Sequence, residues 1–251
     1  MNKICKFLTI IFLYLFYSGV FAQQFTPVTK EKKDLVVQAV EKWLQGRYKV
    51  DEVSKTPVQE LLEVRIGNEL FYVDSQAKHV ILEGRMINLK SGEDLTAIRL
   101  DKILTIDFDT LPLELAIKTK TKTSGDAQKR KTIVVFEDPY CSYCKKFRMT
   151  LEKITNLTIY TFLFPILGED SVVISKRIWC SKDKSLAWEN FMLREIKPAK
   201  ISGDCDFPKD SLLALGKKLG INATPTSYLV SGKRIPGAVN KELLERELSL
   251  L

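Results

Sequence analysis

The chain has 251 residues, 45% of them hydrophobic and 28% charged, with a formal net charge of +8. This is an ordinary globular balance, with enough apolar material for one large domain or two small ones. The basic excess is spread along the chain and interleaved with acids, and no nucleic-acid motif accompanies it, so no nucleic-acid partner is expected.

Lys3 and Lys6 precede an almost wholly apolar run, Phe7 to Tyr17, and Val20-Phe21-Ala22 offers small residues for cleavage before Gln23. Residues 1–22 therefore read as a cleavable secretory signal peptide. The apolar stretch is too short for a membrane span, so no stable membrane insertion is expected after cleavage. No cysteine follows the cleavage site, which argues against a lipid anchor. Cleavage removes Cys5 and two lysines, leaving a charge of +6 and four cysteines: Cys141, Cys144, Cys180 and Cys205. An even number of cysteines in an exported chain suits an oxidising compartment.

Lys30 to Gln45 carries apolar residues at helical spacing, with Gly46 as a stop. Extended segments follow: Val58 to Ile66, Glu69 to Asp74 after the Gly67-Asn68 turn, and Val80 to Leu89, interrupted by Gly84. One helix with several antiparallel strands makes a small N-terminal module, 23–92. A module of that size buries little surface alone, so pairing with a second copy is physically useful. The single histidine, His79, has no second histidine to join it and reads as a surface or strand residue.

Residues 93–131 read as a connector of uncertain helical content, and the basic cluster Lys118 to Lys131 within it as solvated linker. The second domain, 132–251, opens with a buried strand, Thr132 to Glu137. A helix over Cys144 to Ile154 and a strand over Leu157 to Phe164 complete a βαβ unit. Asp170 to Lys218 is mostly helical, with breaks at Lys197-Pro198 and Ile201 to Pro208. A hairpin around Ser231-Gly232 and a last helix, Lys241 to Leu250, capped by Asn240, close the chain. The layout is that of a thioredoxin-like α/β domain with a helical insertion, α+β overall.

The chemistry lies at the junction of strand and helix. Cys141-Ser142-Tyr143-Cys144 places two thiols at a helix N-terminus, whose unpaired N–H groups and partial positive charge favour a thiolate, the attacking species in disulfide exchange. Cys141 reads as the nucleophile and Cys144 as the resolving thiol. Zinc would need two further ligands at sensible spacing, which Cys180 and Cys205 do not supply, so neither metal nor cofactor is expected. Ser142 and Tyr143 tune the pair, and Lys145 and Lys146 either add positive charge near Cys141 or are solvated helix residues. Ala223-Thr224-Pro225-Thr226 is either ordinary turn chemistry or a cis-proline loop facing the cysteines, where substrate main chain can pair. Cys180 and Cys205 read as a structural disulfide across the helical insert rather than a second redox pair.

These residues resemble the bacterial DsbC/DsbG family of periplasmic thiol:disulfide isomerases, nearer its DsbC branch, over essentially the whole mature chain. The resemblance is carried by Phe136 to Phe147, Ile178 to Lys184, Ala214 to Gly220 and Ala223 to Thr226, with Leu70 to Asp74 and Val80 to Gly84 in the N-terminal module. It implies Cys141 as the exposed nucleophile, Cys144 as its resolving partner, Thr224 and Pro225 as the cis-proline loop, and a structural Cys180–Cys205 disulfide. It further implies a V-shaped homodimer joined through the N-terminal, cystatin-like dimerisation domain, and reduction by a membrane reductase of the DsbD type. The implied function is rearrangement of wrong disulfides in misoxidised exported proteins. The alternatives are a DsbG-like reductase that protects sulfenylated single cysteines, and a holdase chaperone with secondary redox activity. Two departures stand out: Ser142 between the cysteines, and Val135 where thioredoxins carry a buried carboxylate. The second leaves Glu137 and Asp138 as candidate bases for Cys144.

Overall fold

The computed structural model describes residues 28–125, 130–201 and 203–251. The expected signal peptide, with Cys5 and the cleavage point before Gln23, lies outside the described residues. Among those described, no helix is long and apolar enough to cross a membrane.

The N-terminal unit is a helix on an antiparallel sheet. Helix α1 (Lys30–Trp43) lays Val36 and Val40 onto Val53, Leu62, Val64, Phe71 and Val73. These come from β1 (Glu52–Lys55), β2 (Leu61–Ile66) and β3 (Glu69–Asp74), which pair in sequence order with β4 (Val80–Ile81) at the edge. The extended runs are shorter than the sequence pattern predicts. Val58 sits in a turn closed by the Thr56 hydroxyl, which donates to the Val58 and Leu61 carbonyls. The last run stops pairing at Ile81 because Glu83 takes a left-handed φ of 55°, which turns the backbone off the ladder. His79 lies in the β3–β4 turn, its Nδ1 3.2 Å from the Asp74 carboxylate.

Residues 93–131 are more structured than a connector. Helix α2 (Leu95–Leu104), capped by the Asp94 side chain, covers the back of the first sheet. There Arg99 reaches the buried Glu63 at 2.8 Å and Glu52 at 2.7 Å. After α2, the Ile106 N–H donates to the Gly232 carbonyl at 3.1 Å. A Cβ on Gly232 would lie 1.9 Å from the Ile106 oxygen, so this approach requires glycine. Two short 3-10 turns lead to β5 (Ile117–Lys120), which alternates buried and exposed residues and joins the second sheet. Lys118 and Lys120 are thus the outward face of an edge strand rather than part of a linker. Charges there blunt edge-to-edge association.

The second sheet has the order β5-β7-β6-β8-β9. Its centre is the parallel pair β6 (Lys131–Glu137) and β7 (Leu157–Leu163), joined through α3 (Ser142–Leu151). The hairpin β8 (Thr226–Leu229) and β9 (Arg234–Pro236) runs antiparallel beside β6. Strand β6 alternates faces. Ile133 and Val135 pack with Phe147 and Leu151 of α3 and Leu244 and Leu248 of α7 (Lys241–Ser249), whose first turn is capped by Asn240. Val134 and Phe136 pack on the opposite face with Ile174 and Ile178 of α4 (Glu169–Trp179), Trp188 of α5 (Lys184–Arg194) and Leu212 of α6 (Lys209–Lys218). A central strand buried on both faces must be apolar throughout, which is why this run is continuous in the sequence.

Candidate active site

Strand β6 ends at Glu137, and the chain turns through Asp138, Pro139 and Tyr140 into the N-cap of α3, which is Cys141 itself. The turn is closed by the Cys141 N–H donating to the Asp138 carbonyl at 3.1 Å. The Cys141 sulfur accepts the Cys144 N–H at 3.3 Å and, as a thiol, donates to the Thr224 carbonyl at 3.3 Å. Both cysteines are free thiols. The helix thus supplies an N–H donor where charge forms on the outer sulfur.

The two thiols are not equivalent. Cys141 retains 7% exposure and Cys144 none. Burial pushes the Cys144 thiol far above the ordinary range, and the nearby charge of Glu137 and the hydrogen bond with Cys141 push the same way. Cys144 is therefore held protonated at neutral pH.

Thr224 and Pro225 lie across from Cys141, and the bond between them is cis. The loop is fixed by the Gly237 N–H donating to the Pro225 carbonyl at 2.8 Å and by the Thr226 hydroxyl donating to Ala223. Ser142 and Tyr143 are exposed on the first turn of α3. The structure thus brings together six residues singled out in the sequence: Cys141, Ser142, Tyr143, Cys144, Thr224 and Pro225. Cys180 and Cys205 form a disulfide away from this cluster, joining the end of α4 to the segment before α6. Lys145 and Lys146 are engaged elsewhere. Lys145 pairs with Glu195 at 2.9 Å beside the Phe191 ring, and Lys146 lies over the Tyr143 ring.

Beneath the cysteines lies a polar cluster that the sequence pattern did not single out as a unit. Glu137 and Arg148 are both fully buried, with Arg148 Nη1 3.8 Å from a Glu137 carboxylate oxygen. Thr161 donates to the same oxygen at 3.3 Å, and Arg148 also donates to Thr161 and Thr119. Burial pushes the Glu137 carboxyl up to about 7, against the opposing pull of the Arg148 charge and the Thr161 hydrogen bond. The other Glu137 oxygen has no hydrogen-bond partner among the described residues. The available signal was position: Arg148 falls four residues after Cys144, on the face that also buries Phe147 and Leu151.

The adjacent carboxylate, Asp138, is also fully buried but fully occupied. Its Oδ1 accepts the Tyr140 N–H at 2.8 Å and the Ser171 hydroxyl at 2.7 Å. Its Oδ2 accepts the N–H groups of Ile166 and Leu167 at 2.8 and 2.9 Å. Of the two candidate bases, Asp138 ties loops together, and Glu137 is the one coupled to Cys144.

Comparison with known proteins gives the same picture. Residues 26–97 match the family model described as the disulfide bond isomerase protein N-terminal domain, and residues 100–251 match the thioredoxin-like domain. The probable thiol:disulfide interchange protein DsbC of Bordetella pertussis is 39% identical over 201 residues, covering 80% of this chain and 69% of the relative. The thiol:disulfide interchange protein DsbC of Escherichia coli K12 is 28% identical over 194 residues, covering 75% of this chain and 77% of the relative. Among solved structures, a disulfide interchange protein from Neisseria gonorrhoeae superposes with a TM-score of 0.51 at 30% identity. That match covers 56% of this chain and 97% of the other.

Proposed function

The chain belongs to the DsbC family of thiol:disulfide interchange proteins, and from that premise we propose that it rearranges wrong disulfides in exported proteins of the periplasm. Deprotonated Cys141 attacks one sulfur of a client disulfide. A Cys141–client disulfide forms, and the second client sulfur leaves as a thiolate with the bonding pair. A different client thiolate then attacks the mixed disulfide, forms a new client disulfide and expels Cys141, with no net change of redox state. In the competing branch Cys144 gives up its proton and attacks Cys141. The client leaves reduced by two electrons, and Cys141–Cys144 becomes a disulfide that an external dithiol must reduce.

The single observation that carries the isomerase reading is the asymmetry of the pair. Cys141 sits at the helix N-cap beside the Thr224 carbonyl, while Cys144 is fully buried and held protonated. A resolving thiol in that state attacks slowly, which leaves time for a client thiol to complete the exchange. Glu137 is the group that takes the Cys144 proton when resolution does occur, since its carboxyl titrates near neutrality and is coupled to that thiol. Thr224 and Pro225 form the wall against which the client backbone lies, with Ser142 and Tyr143 bordering it.

Two copies assemble through the N-terminal unit. Supporting this are the family of that unit and the exposed apolar residues on and after its edge strand β4: Ile81, Leu82, Ile87 and Leu89 are 49%, 55%, 43% and 96% exposed. Residues 1–22 direct export, and a membrane reductase of the DsbD type returns Cys141 and Cys144 to the dithiol state.

Reactivation of scrambled ribonuclease in a glutathione buffer tests the reading. The reduced protein is expected to accelerate recovery of ribonuclease activity, and Cys141→Ala to abolish the gain. An equal gain from Cys141→Ala sinks the enzymatic reading.

A further inference from the structure

Pro165 to Gly168, in the segment between β7 and α4, reach the reactive end of the sheet. This is the end where the parallel strands β6 and β7 stop, and in open α/β sheets it is where ligands bind. The loop is anchored at both ends. Pro165 is buried, and Gly168 takes a φ of 121°, which side chains rarely adopt, to enter α4. Between the anchors two large apolar side chains face outward: Ile166 is 38% exposed and Leu167 is 57% exposed.

A buried carboxylate holds the backbone of the loop in place. Asp138 accepts the backbone N–H groups of Ile166 and Leu167 on one oxygen. On the other it accepts the N–H of Tyr140, the residue before Cys141, and the Ser171 hydroxyl of α4. One side chain therefore fixes the backbone next to the nucleophile and the backbone of this apolar loop in a single frame. Tyr140 continues the apolar rim, its ring held edge-on against Phe191 at 5.6 Å. Tyr143 adds a further exposed ring on the first turn of α3. Four donors compensate the buried carboxylate, so it can hold this frame with the two apolar side chains outward.

We infer that Ile166 and Leu167, positioned beside Cys141 by Asp138, form an apolar subsite that selects apolar side chains flanking the client half-cystine. The occupant is the client segment that Cys141 captures covalently, so the subsite is continuous with the reaction centre. Such flanks are characteristic of cysteines that belong in a protein core, and they stay exposed while the disulfides are wrong. The inference rests on the thiol-exchange reading and adds a substrate class to it. Glu169 and Asp170 open α4 directly after the loop, so an acidic flank meets repulsion as well as the loss of apolar contact. Asp138 is a positioning residue, acting through the loop.

The test uses the reduced full-length protein and peptides Gly-X-Cys-X-Gly whose cysteine carries a thionitrobenzoate leaving group. Attack by Cys141 on the peptide sulfur forms the mixed disulfide and releases the coloured thiolate. The readout is the ratio of rate constants for X = Leu and X = Gln within one protein, which cancels any change in the intrinsic reactivity of Cys141. The wild type is expected to favour Leu by about five- to tenfold, from partial burial of two leucine side chains. The double variant Ile166→Ser, Leu167→Ser brings the ratio to near one, and Asp138→Asn lowers it. An amide in place of the carboxylate turns an N–H donor toward at least one of the four donors now accepted. Val230→Ser, an exposed apolar site at the opposite end of β8, keeps the wild-type ratio. A wild-type ratio near one, or a Leu preference that survives in the double variant, overturns the subsite. No thionitrobenzoate released from either peptide overturns the thiol-exchange reading itself.

Discussion

Replacing Glu137 by glutamine removes a buried carboxyl that titrates near neutrality while keeping its size. In the folded protein this group titrates at about 7, against 4.5 as the ordinary value. Between those values the folded state keeps a proton that the unfolded chain has released. Folding stability therefore falls as pH rises through this window and levels off above it. A shift of this size corresponds to about 3 kcal/mol, taking 1.36 kcal/mol per pH unit. Glutamine is neutral throughout, so the comparison isolates one group. Guanidinium unfolding of the reduced wild type and Glu137→Gln is run at pH 5, 6, 7 and 8, following the transition of the thioredoxin-like unit. At pH 5 both proteins hold a neutral group beside Arg148. By pH 8 the variant should have gained up to about 3 kcal/mol over the wild type, relative to their difference at pH 5. A difference that stays flat across the range, or moves in favour of the wild type, refutes the reasoning. Either result would mean that Arg148, at 3.8 Å, holds the carboxylate ionised in spite of burial.

Cys144→Ala should accumulate a Cys141–client disulfide, visible as a heavier species on non-reducing gels that Cys141→Ala does not form. Glu137→Gln should slow resolution of the same mixed disulfide by Cys144 about a hundredfold above pH 7, read by quenched flow, because the proton acceptor is gone. Replacing Cys180 and Cys205 together by alanine opens a loop with a sequence separation of 25 residues. It should cost about 3 kcal/mol of stability in denaturant unfolding while the Cys141 reaction persists. Ile81→Asp combined with Leu89→Asp places charge on the exposed apolar residues on and after β4 and should give a monomer by sedimentation velocity, where the wild type gives a dimer.

The reaction centre was legible in the sequence because its parts are local. An apolar run buried on both faces, a tight turn and two cysteines at a helix start are all set by neighbours along the chain. The β4 run was overestimated because its apolar residues continue to Leu89, whereas the pairing depends on the backbone at Glu83. Strand β5 was hidden because Ile117 to Lys120 looks like linker until β7 lies beside it. The roles of Glu137 and Asp138 were undecided for a related reason. Successive residues at the end of a strand face opposite sides. Glu137 continues the Ile133 and Val135 face toward α3 and meets Arg148. Asp138 continues the Val134 and Phe136 face toward α4 and meets Ser171. Which side carries which partner is fixed by elements far away in sequence, and no local pattern could assign it.

That division of faces ties the fold to the proposed chemistry. After Cys141 captures a client, the outcome depends on which thiolate arrives first, one from the client or Cys144. The client thiol competes from the solvent side, where Asp138 holds the loop that meets it. Cys144 competes from the core side, where its proton must pass to a carboxyl titrating near neutrality. As pH falls through 7 Glu137 increasingly keeps its own proton, so fewer molecules hold a carboxylate able to accept another and the core-side route slows. Above pH 7 Glu137 is ionised, and two effects oppose each other. The carboxylate can accept the Cys144 proton, while its charge helps keep Cys144 protonated until the moment of attack. A buried acid and a buried thiol coupled in this way give a resolving step that is available but slow. Slow resolution is the condition under which a dithiol site rearranges client disulfides more often than it reduces them.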